Sequence, residues 1–395
     1  MIDPAERRAG QMAKQQRIRA VFMRGGTSNG LIFHARDLPP EGPVRDAALL
    51  AAMGSPDPNM RQLDGMGGGI SSLSKICIVA PSSHPDADVD YTFGQVGIDM
   101  AVVDYGGNCG NMSSAIGPFA VEEGLVPPPA DGEAVIRIHN TNTSKLIAAR
   151  FPVEDGLPVI HGDFALDGVA GTAAAIRLDF LDPGGSKTGR LLPTGNAVDQ
   201  IELPDFGPVE VSLIDSANPV VFLTAHSLGL SGYETPDEIG ANAPLMQRLE
   251  AIRRCGSVLM GLTADEDAAA KLISIPKIAM LAPPHEAVTL SGQRLSAIDA
   301  DITARTLSVG QPHKAIPLTA ALCLASAVRV PGTIAARLAR AGGDSIRIAH
   351  PSGTMSVDAA TEEQDGQIRI RHATVLRSAR RLFEGSVCIP ATAKG

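Results

Sequence analysis

The stretch Gly106-Gly107-Asn108-Cys109-Gly110-Asn111 runs directly into residues 112–121, MSSAIGPFAV, and this junction decides how the chain folds. The segment after it is apolar on every side, so as a helix it has to be buried. Gly124 is a fitting terminator. A second segment of the same kind spans 312–327. It is Ala-rich, with His313 and Lys314 just before it and Pro317 near its start. Short Val/Ile/Leu runs flank both helices: 18–23, 31–33, 76–80, 89–96 and 101–105 around the first, and 347–388 after the second. Between 134 and 222 such runs alternate with Gly, Pro and Asp. The pattern predicts an α/β or α+β chain, dominated by short strands, in which two sheets each wrap a central helix. Pro183-Gly184-Gly185-Ser186 and Leu192-Pro193-Thr194-Gly195-Asn196 are the expected junction between them.

The wider sequence narrows the function. At 395 residues the chain exceeds one hydrophobic core, and two domains are expected. A net charge of −9 and 3% aromatic residues argue against a nucleic-acid binder. No stretch approaches the ~20 apolar residues of a membrane span. The N-terminus MIDPAERRAGQMAKQQR lacks an apolar core, so a cytoplasmic protein is expected. Cys77, Cys109, Cys255, Cys323 and Cys388 form no CxxC pair, and all except Cys109 read as structural thiols in a reducing compartment.

Cys109 stands apart because a helix N-terminus favours thiolate, and the glycines Gly107 and Gly110, with Asn108 and Asn111, let a ligand approach the backbone. A small buried hydrophobe at a tight turn is the competing reading. Lys75 follows a Ser-rich loop containing Ser72 and immediately precedes the strand 76–80. It is read either as a general base or as a strand-end lysine reaching water. Three loops look suited to anions: 24–30, with Arg24, Thr27 and Ser28; His313-Lys314 before the second helix; and 350–354, with Ser352 and Gly353. GxxxxGK[ST], a dinucleotide fingerprint, HExxH, EF-hand and GxSxG patterns are absent. What remains is an acid/base site with neither metal nor cofactor.

At these motifs the chain resembles the 2-methylaconitate isomerase (PrpF) family. The matching text includes Met23-Arg24-Gly25-Gly26-Thr27-Ser28, Asp64-Gly65-Met66-Gly67-Gly68, Gly94-Gln95-Val96 and Gly107-Asn108-Cys109-Gly110-Asn111. It continues through Leu192-Pro193-Thr194-Gly195-Asn196, Pro276-Lys277 and His350-Pro351-Ser352-Gly353, so that it covers about residues 18–390. The resemblance implies a diaminopimelate epimerase-like fold: two pseudo-symmetric domains, each a strongly curved mixed or antiparallel sheet around a central helix. The expected limits are 1–190 and 191–375, with 376–395 returning to the first domain. It also implies cofactor-independent 1,3-allylic proton transfer on a small unsaturated di- or tricarboxylate of 2-methylaconitate, 3-methylitaconate or 4-oxalomesaconate type. Lys75 and Cys109 fall on the acid/base pair, and a homodimer is left open as the assembly.

Two departures stand out. The first loop of the family usually carries Lys where this chain has Asn29. The epimerase relatives place a second cysteine at the start of the second helix, whereas 312–319 holds none. An allylic isomerase is therefore expected over a two-thiol racemase or epimerase. A carboxylate-binding protein without turnover is the reading from another class.

Overall fold

The computed structural model describes residues 15–391 except 128, 204–205, 341–342, 344 and 365–366. Among these residues sixteen strands reach five residues or more. They form two arcs of eight. The first arc runs, in pairing order, β16 (Ala379–Pro390), β1 (Gln15–Gly25), β2 (Ser28–His34), β3 (Lys75–Pro81), β4 (Val89–Val96), β5 (Gly132–Asn140), β6 (Lys145–Glu154) and β7 (Ile176–Leu181). The second runs β8 (Asp199–Leu203), β9 (Gly207–Ser216), β10 (Asn218–Thr224), β11 (Lys277–Ala282), β12 (Ile302–Ser308), β13 (Ser345–His350), β14 (Gly353–Gln364) and β15 (Gln367–Arg377).

Both arcs follow one rule. Successive pairs are antiparallel, antiparallel, parallel, antiparallel, parallel, antiparallel and antiparallel. Parallel neighbours need a crossover, usually helical, and each arc has two. In the first, α1 (Pro43–Met53) links β2 to β3 and α2 (Gly110–Glu122) links β4 to β5. In the second, α3 (Ala243–Leu259) links β10 to β11 and α4 (Leu318–Val328) links β12 to β13. Antiparallel pairing of β7 with β15 joins the arcs.

The helices α2 and α4 are the ones expected from the apolar segments. Every residue from Gly110 to Val121 and from Leu318 to Ala327 is buried. One apolar cluster joins Met112, Ile116 and Phe119 of α2 to Leu322 and Leu324 of α4. The buried hydroxyls of Ser113 and Ser114 are satisfied within the helix, donating to the carbonyls of Cys109 and Asn111. By contrast α1 and α3 each bury one side over separate clusters on the outer faces of the arcs.

Two local expectations change. The anion loop expected over 24–30 shrinks to the two-residue turn Gly26-Thr27, because Arg24 pairs with Asn29 and Gly25 with Ser28 in a β1–β2 hairpin. Cys388 is exposed rather than buried, since the final strand β16 turns most of its side chains outward.

Candidate active site

The crossover rule puts the N-termini of α2 and α4 at equivalent places in the two arcs, and the structure brings them together. A methyl group on Gly110 would lie 2.8 Å from Leu318 Cδ2, so only glycine lets the two helix starts pack this closely. Cys109 occupies the N-cap of α2 and Pro317 that of α4. Between them lies a cleft of about 20 Å3 lined by Ser28, Ser71, Lys75, Phe93, Gln95, Asn108, Cys109, Asn111, Ser274, Lys277, Ser308, His313 and Thr319. Among the described residues no carboxylate side chain lines it. Two buried helix N-termini and two lysines, neither ion-paired with a carboxylate among the described residues, make a site for an anion.

Lys75 is the first residue of β3 and only 7% exposed, so it does not reach into bulk water. Its ammonium donates to Gln95 Oε1 at 2.8 Å and sits 5.1 Å from the centre of the Phe93 ring. Gln95 faces Lys75 across the β3–β4 ladder and donates through Nε2 to the carbonyls of Ser71 and Ser74. Ser74 in turn donates to Gln62 Oε1, which also receives the Gly69 N–H. The glycine-rich segment before β3 is thus a scaffold for the lysine.

Cys109 is 8% exposed, and its carbonyl accepts from Tyr91 Oη at 3.4 Å. The loop ahead of it is fixed from both arcs. Asp104 accepts the Gly106 N–H at 2.6 Å and the Ser274 N–H of the second arc at 2.7 Å. Asn218 accepts the Asn108 N–H at 3.0 Å and donates to the Asn108 carbonyl at 2.8 Å. The Asn108 Oδ1 and Ser274 Oγ atoms are buried in the cleft wall without a hydrogen-bond partner. Unpaired buried polar atoms are costly, and their place here suits a polar ligand.

His313 packs where the two lysines converge. Burial and the nearby charges of Lys75 and then Lys277 push its pKa down to about 4, so the imidazole is neutral at pH 7. Its Nδ1 accepts the Ala315 N–H, which assigns the proton to Nε2.

Other expected site residues lie beside the cleft rather than in its wall. Arg24 donates to the carbonyls of Gly26 and Ser378 and to Ser378 Oγ, clamping the hairpin turn to the start of β16. Thr27 Oγ1 accepts from Asn111 Nδ2 at 3.1 Å, while Asn111 Oδ1 receives Nε–H of the buried Arg377 at 3.2 Å. Gly26 has φ +53° and would meet Asn111 Oδ1 with any side chain. Gly107 packs against Ile275, and Ser72 is half-buried behind Ser71. Lys314 is exposed, and its carbonyl accepts from Ser352 Oγ. The turn at Gly353 already holds an anion of the chain itself: Asp167 Oδ2 accepts the Thr354 N–H at 2.7 Å.

Ser274 and Asn218 escaped the reading of the sequence, and Gln95 and Lys277 entered it only as matching text, without a site role. A signal for Lys277 was present. Ser72-Leu73-Ser74-Lys75-Ile76-Cys77-Ile78-Val79-Ala80 repeats as Ser274-Ile275-Pro276-Lys277-Ile278-Ala279-Met280-Leu281-Ala282. Both lysines open equivalent strands, β3 and β11.

Comparison with known proteins agrees with this architecture. Residues 15–390 match the family model described as PrpF protein. The 2-methyl-aconitate isomerase of Cupriavidus necator is 42% identical over 391 residues, covering 96% of this chain and 98% of that protein. The crystal structure of a methylitaconate-delta-isomerase superposes with a TM-score of 0.75 at 43% identity, covering 95% and 96% of the two chains. A hydroxyproline epimerase from Agrobacterium vitis, 12% identical, shares the fold at a TM-score of 0.57 over 95% and 93% of the chains. The fold is the α+β, diaminopimelate epimerase-like one, and the chain belongs to the PrpF family.

Proposed function

We propose that the protein is a cofactor-independent isomerase of an unsaturated di- or tricarboxylate, acting by 1,3-allylic proton transfer between Lys75 and Cys109. One observation carries this reading: Lys75 and Cys109 line a single narrow cleft that holds two helix N-termini and, among the described residues, no carboxylate. The relatives include isomerases named for 2-methyl-aconitate and methylitaconate, both polycarboxylates with a carboxylate conjugated to a carbon–carbon double bond.

The chemistry balances with these groups alone. One of the pair, entering without its proton, removes hydrogen from the carbon γ to a conjugated carboxylate. The C–H electrons move into a dienolate whose charge spreads onto that carboxylate. The other partner protonates the far allylic carbon, so the double bond migrates; rotation of the dienolate before protonation gives cis–trans conversion instead. Charge develops on the carboxylate oxygens, where the amides at the starts of α2 and α4 favour it. The neutral His313 supplies an N–H donor there without adding a second acid.

Pro317, at the place equivalent to Cys109, carries no thiol, which favours the isomerase over a symmetric two-thiol racemase. We place the domains at 1–190 and 191–375, with 376–395 returning, in keeping with β16 pairing to β1. The five cysteines are free, which suits a cytoplasmic enzyme. Among the described residues no helix is long and apolar enough to cross a membrane. A homodimer is the assembly to test by light scattering.

An ultraviolet screen of the purified protein against aconitates, methylaconitate, methylitaconate and oxalomesaconate tests the activity, since conjugation changes report both outcomes. Turnover of at least one acid, falling by ~10³-fold or more in Lys75→Met and Cys109→Ser, is expected. Unchanged kcat in either variant refutes the pairing.

A further inference from the structure

We propose that Lys277, contributed by the second arc, is a substrate-binding residue that grips one carboxylate of the polycarboxylate opposite Lys75. Three observations place it there. The repeat and the matching strand order make Lys277 the counterpart of Lys75, each the opening residue of its strand in the two arcs. Its side chain lines the same cleft as Lys75, Cys109 and His313. Its ammonium is buried, and the one partner seen among the described residues is the Ser274 carbonyl at 2.8 Å. A buried ammonium bonded to one carbonyl, with Asp104 acting on it only through space, is an expensive arrangement that a bound anion relieves. The unpartnered Ser274 Oγ and Asn108 Oδ1 line the same cleft. The equivalence with Lys75 is also incomplete in an informative way. Lys75 has Gln95 opposite it in the ladder, whereas the register of β11 with β12 sets Ser308 opposite Lys277, leaving its head less engaged.

The charged surroundings set how binding varies with pH. Lys75, Cys109 and Asp104 face Lys277 from the first arc, and His313 and Cys323 from the second. Behind it, on α3, Glu250 is paired with Arg253 and Arg254. Burial, then the charge of Lys75, brings the Lys277 pKa down to about 8. Above that pH the free protein loses the cation, and each further unit costs close to tenfold in affinity for an anion that requires it.

This inference rests on the polycarboxylate reading of the cleft, so the test uses tricarballylate, a saturated tricarboxylate with no double bond to move. Calorimetric titration of the whole protein between pH 6.5 and 9.5 is compared for wild type, K277M and K277R. At pH 7, K277M is expected to bind at least tenfold more weakly and K277R within threefold of wild type. Wild-type affinity should fall above pH 8, while K277R stays level. A K277M protein that binds within twofold of wild type and keeps the pH slope overturns the proposal. If K277M does not fold, the K277R series decides, and a slope persisting in K277R is equally fatal. The two readings separate cleanly. Tricarballylate binding that tracks Lys277 without turnover of any unsaturated acid defeats the isomerase alone, and intact turnover with binding indifferent to Lys277 defeats this inference alone.

Discussion

At the scale of single residues, the site depends on side chains that hold others in place. Gln95 is the clearest. It receives the Lys75 ammonium and covers two carbonyls of the preceding turn, so Gln95→Leu strips a partner from the lysine and leaves the Ser71 and Ser74 carbonyls bare. A loss of about 1–3 kcal/mol in unfolding free energy is expected by urea denaturation. Initial rates should show kcat falling with KM little changed, because in the proposed mechanism the positioned group moves a proton rather than gripping substrate. Equal loss of kcat and KM would refute that division. His350 makes the second residue-scale case. Burial, helped by Arg377, His313 and Arg305, drives its pKa down to about 3. An unfolded histidine titrates near 6.5, so between pH 6.5 and 3 the unfolded chain binds the extra proton and stability falls as pH falls. Its contribution is complete above pH 6.5 and amounts to about 2 kcal/mol lost between pH 7 and pH 5. Denaturation of wild type and His350→Asn at both pH values checks this: the difference between them should shrink at pH 5. A constant difference would count against it.

At the scale of elements, the two central helices meet through Gly110 and Leu318. Gly110→Ala places a methyl group 2.8–3.1 Å from three Leu318 carbons, and the helix starts must separate by a few tenths of an ångström. Cys109 moves with that separation, so kcat is expected to drop by ~10²-fold. Shortening the obstacle should restore much of it: Gly110→Ala with Leu318→Ala is expected to be more active than Gly110→Ala alone. Additive losses in this double-mutant cycle would mean that the contact does not govern the site. These helices were legible in the sequence because each is apolar all round and bounded by loop residues, which leaves burial as the sole solution. The place of Cys109 and Lys75 at one cleft was legible from their immediate neighbours, a helix start and a strand start. Gln95 and Asn218 were not, because their roles arise from ladder register and from bonds spanning 110 residues. The turn at Ser352-Gly353 misled for a related reason. Its free amide does bind an anion, but that anion is Asp167, placed there by the tertiary fold.

At the scale of the whole molecule, duplication explains the asymmetry of the site. Two arcs built by one pairing rule deliver two helix N-termini and two strand-opening lysines to one cleft, yet a thiol stands at one helix start and a proline at the other. On the proposed reading, equivalent backbone places binding groups in pairs, while the single thiol makes the proton chemistry one-sided. The same architecture sets how substrate enters. A cleft of about 20 Å3 holds a water molecule and not a tricarboxylate. The arcs are therefore expected to part as substrate enters. The continuous β7–β15 pairing can act as the hinge, and the bonds that must yield are those of Asn218 to Asn108 and of the Ser274 N–H to Asp104. Stopped-flow binding of tricarballylate tests this directly. The observed rate should level off with rising concentration at the opening rate, and Asn218→Ala, which removes two cross-arc bonds to Asn108, should raise that plateau. A rate that climbs linearly to millimolar concentration in both proteins would mean that the cleft stands open in solution.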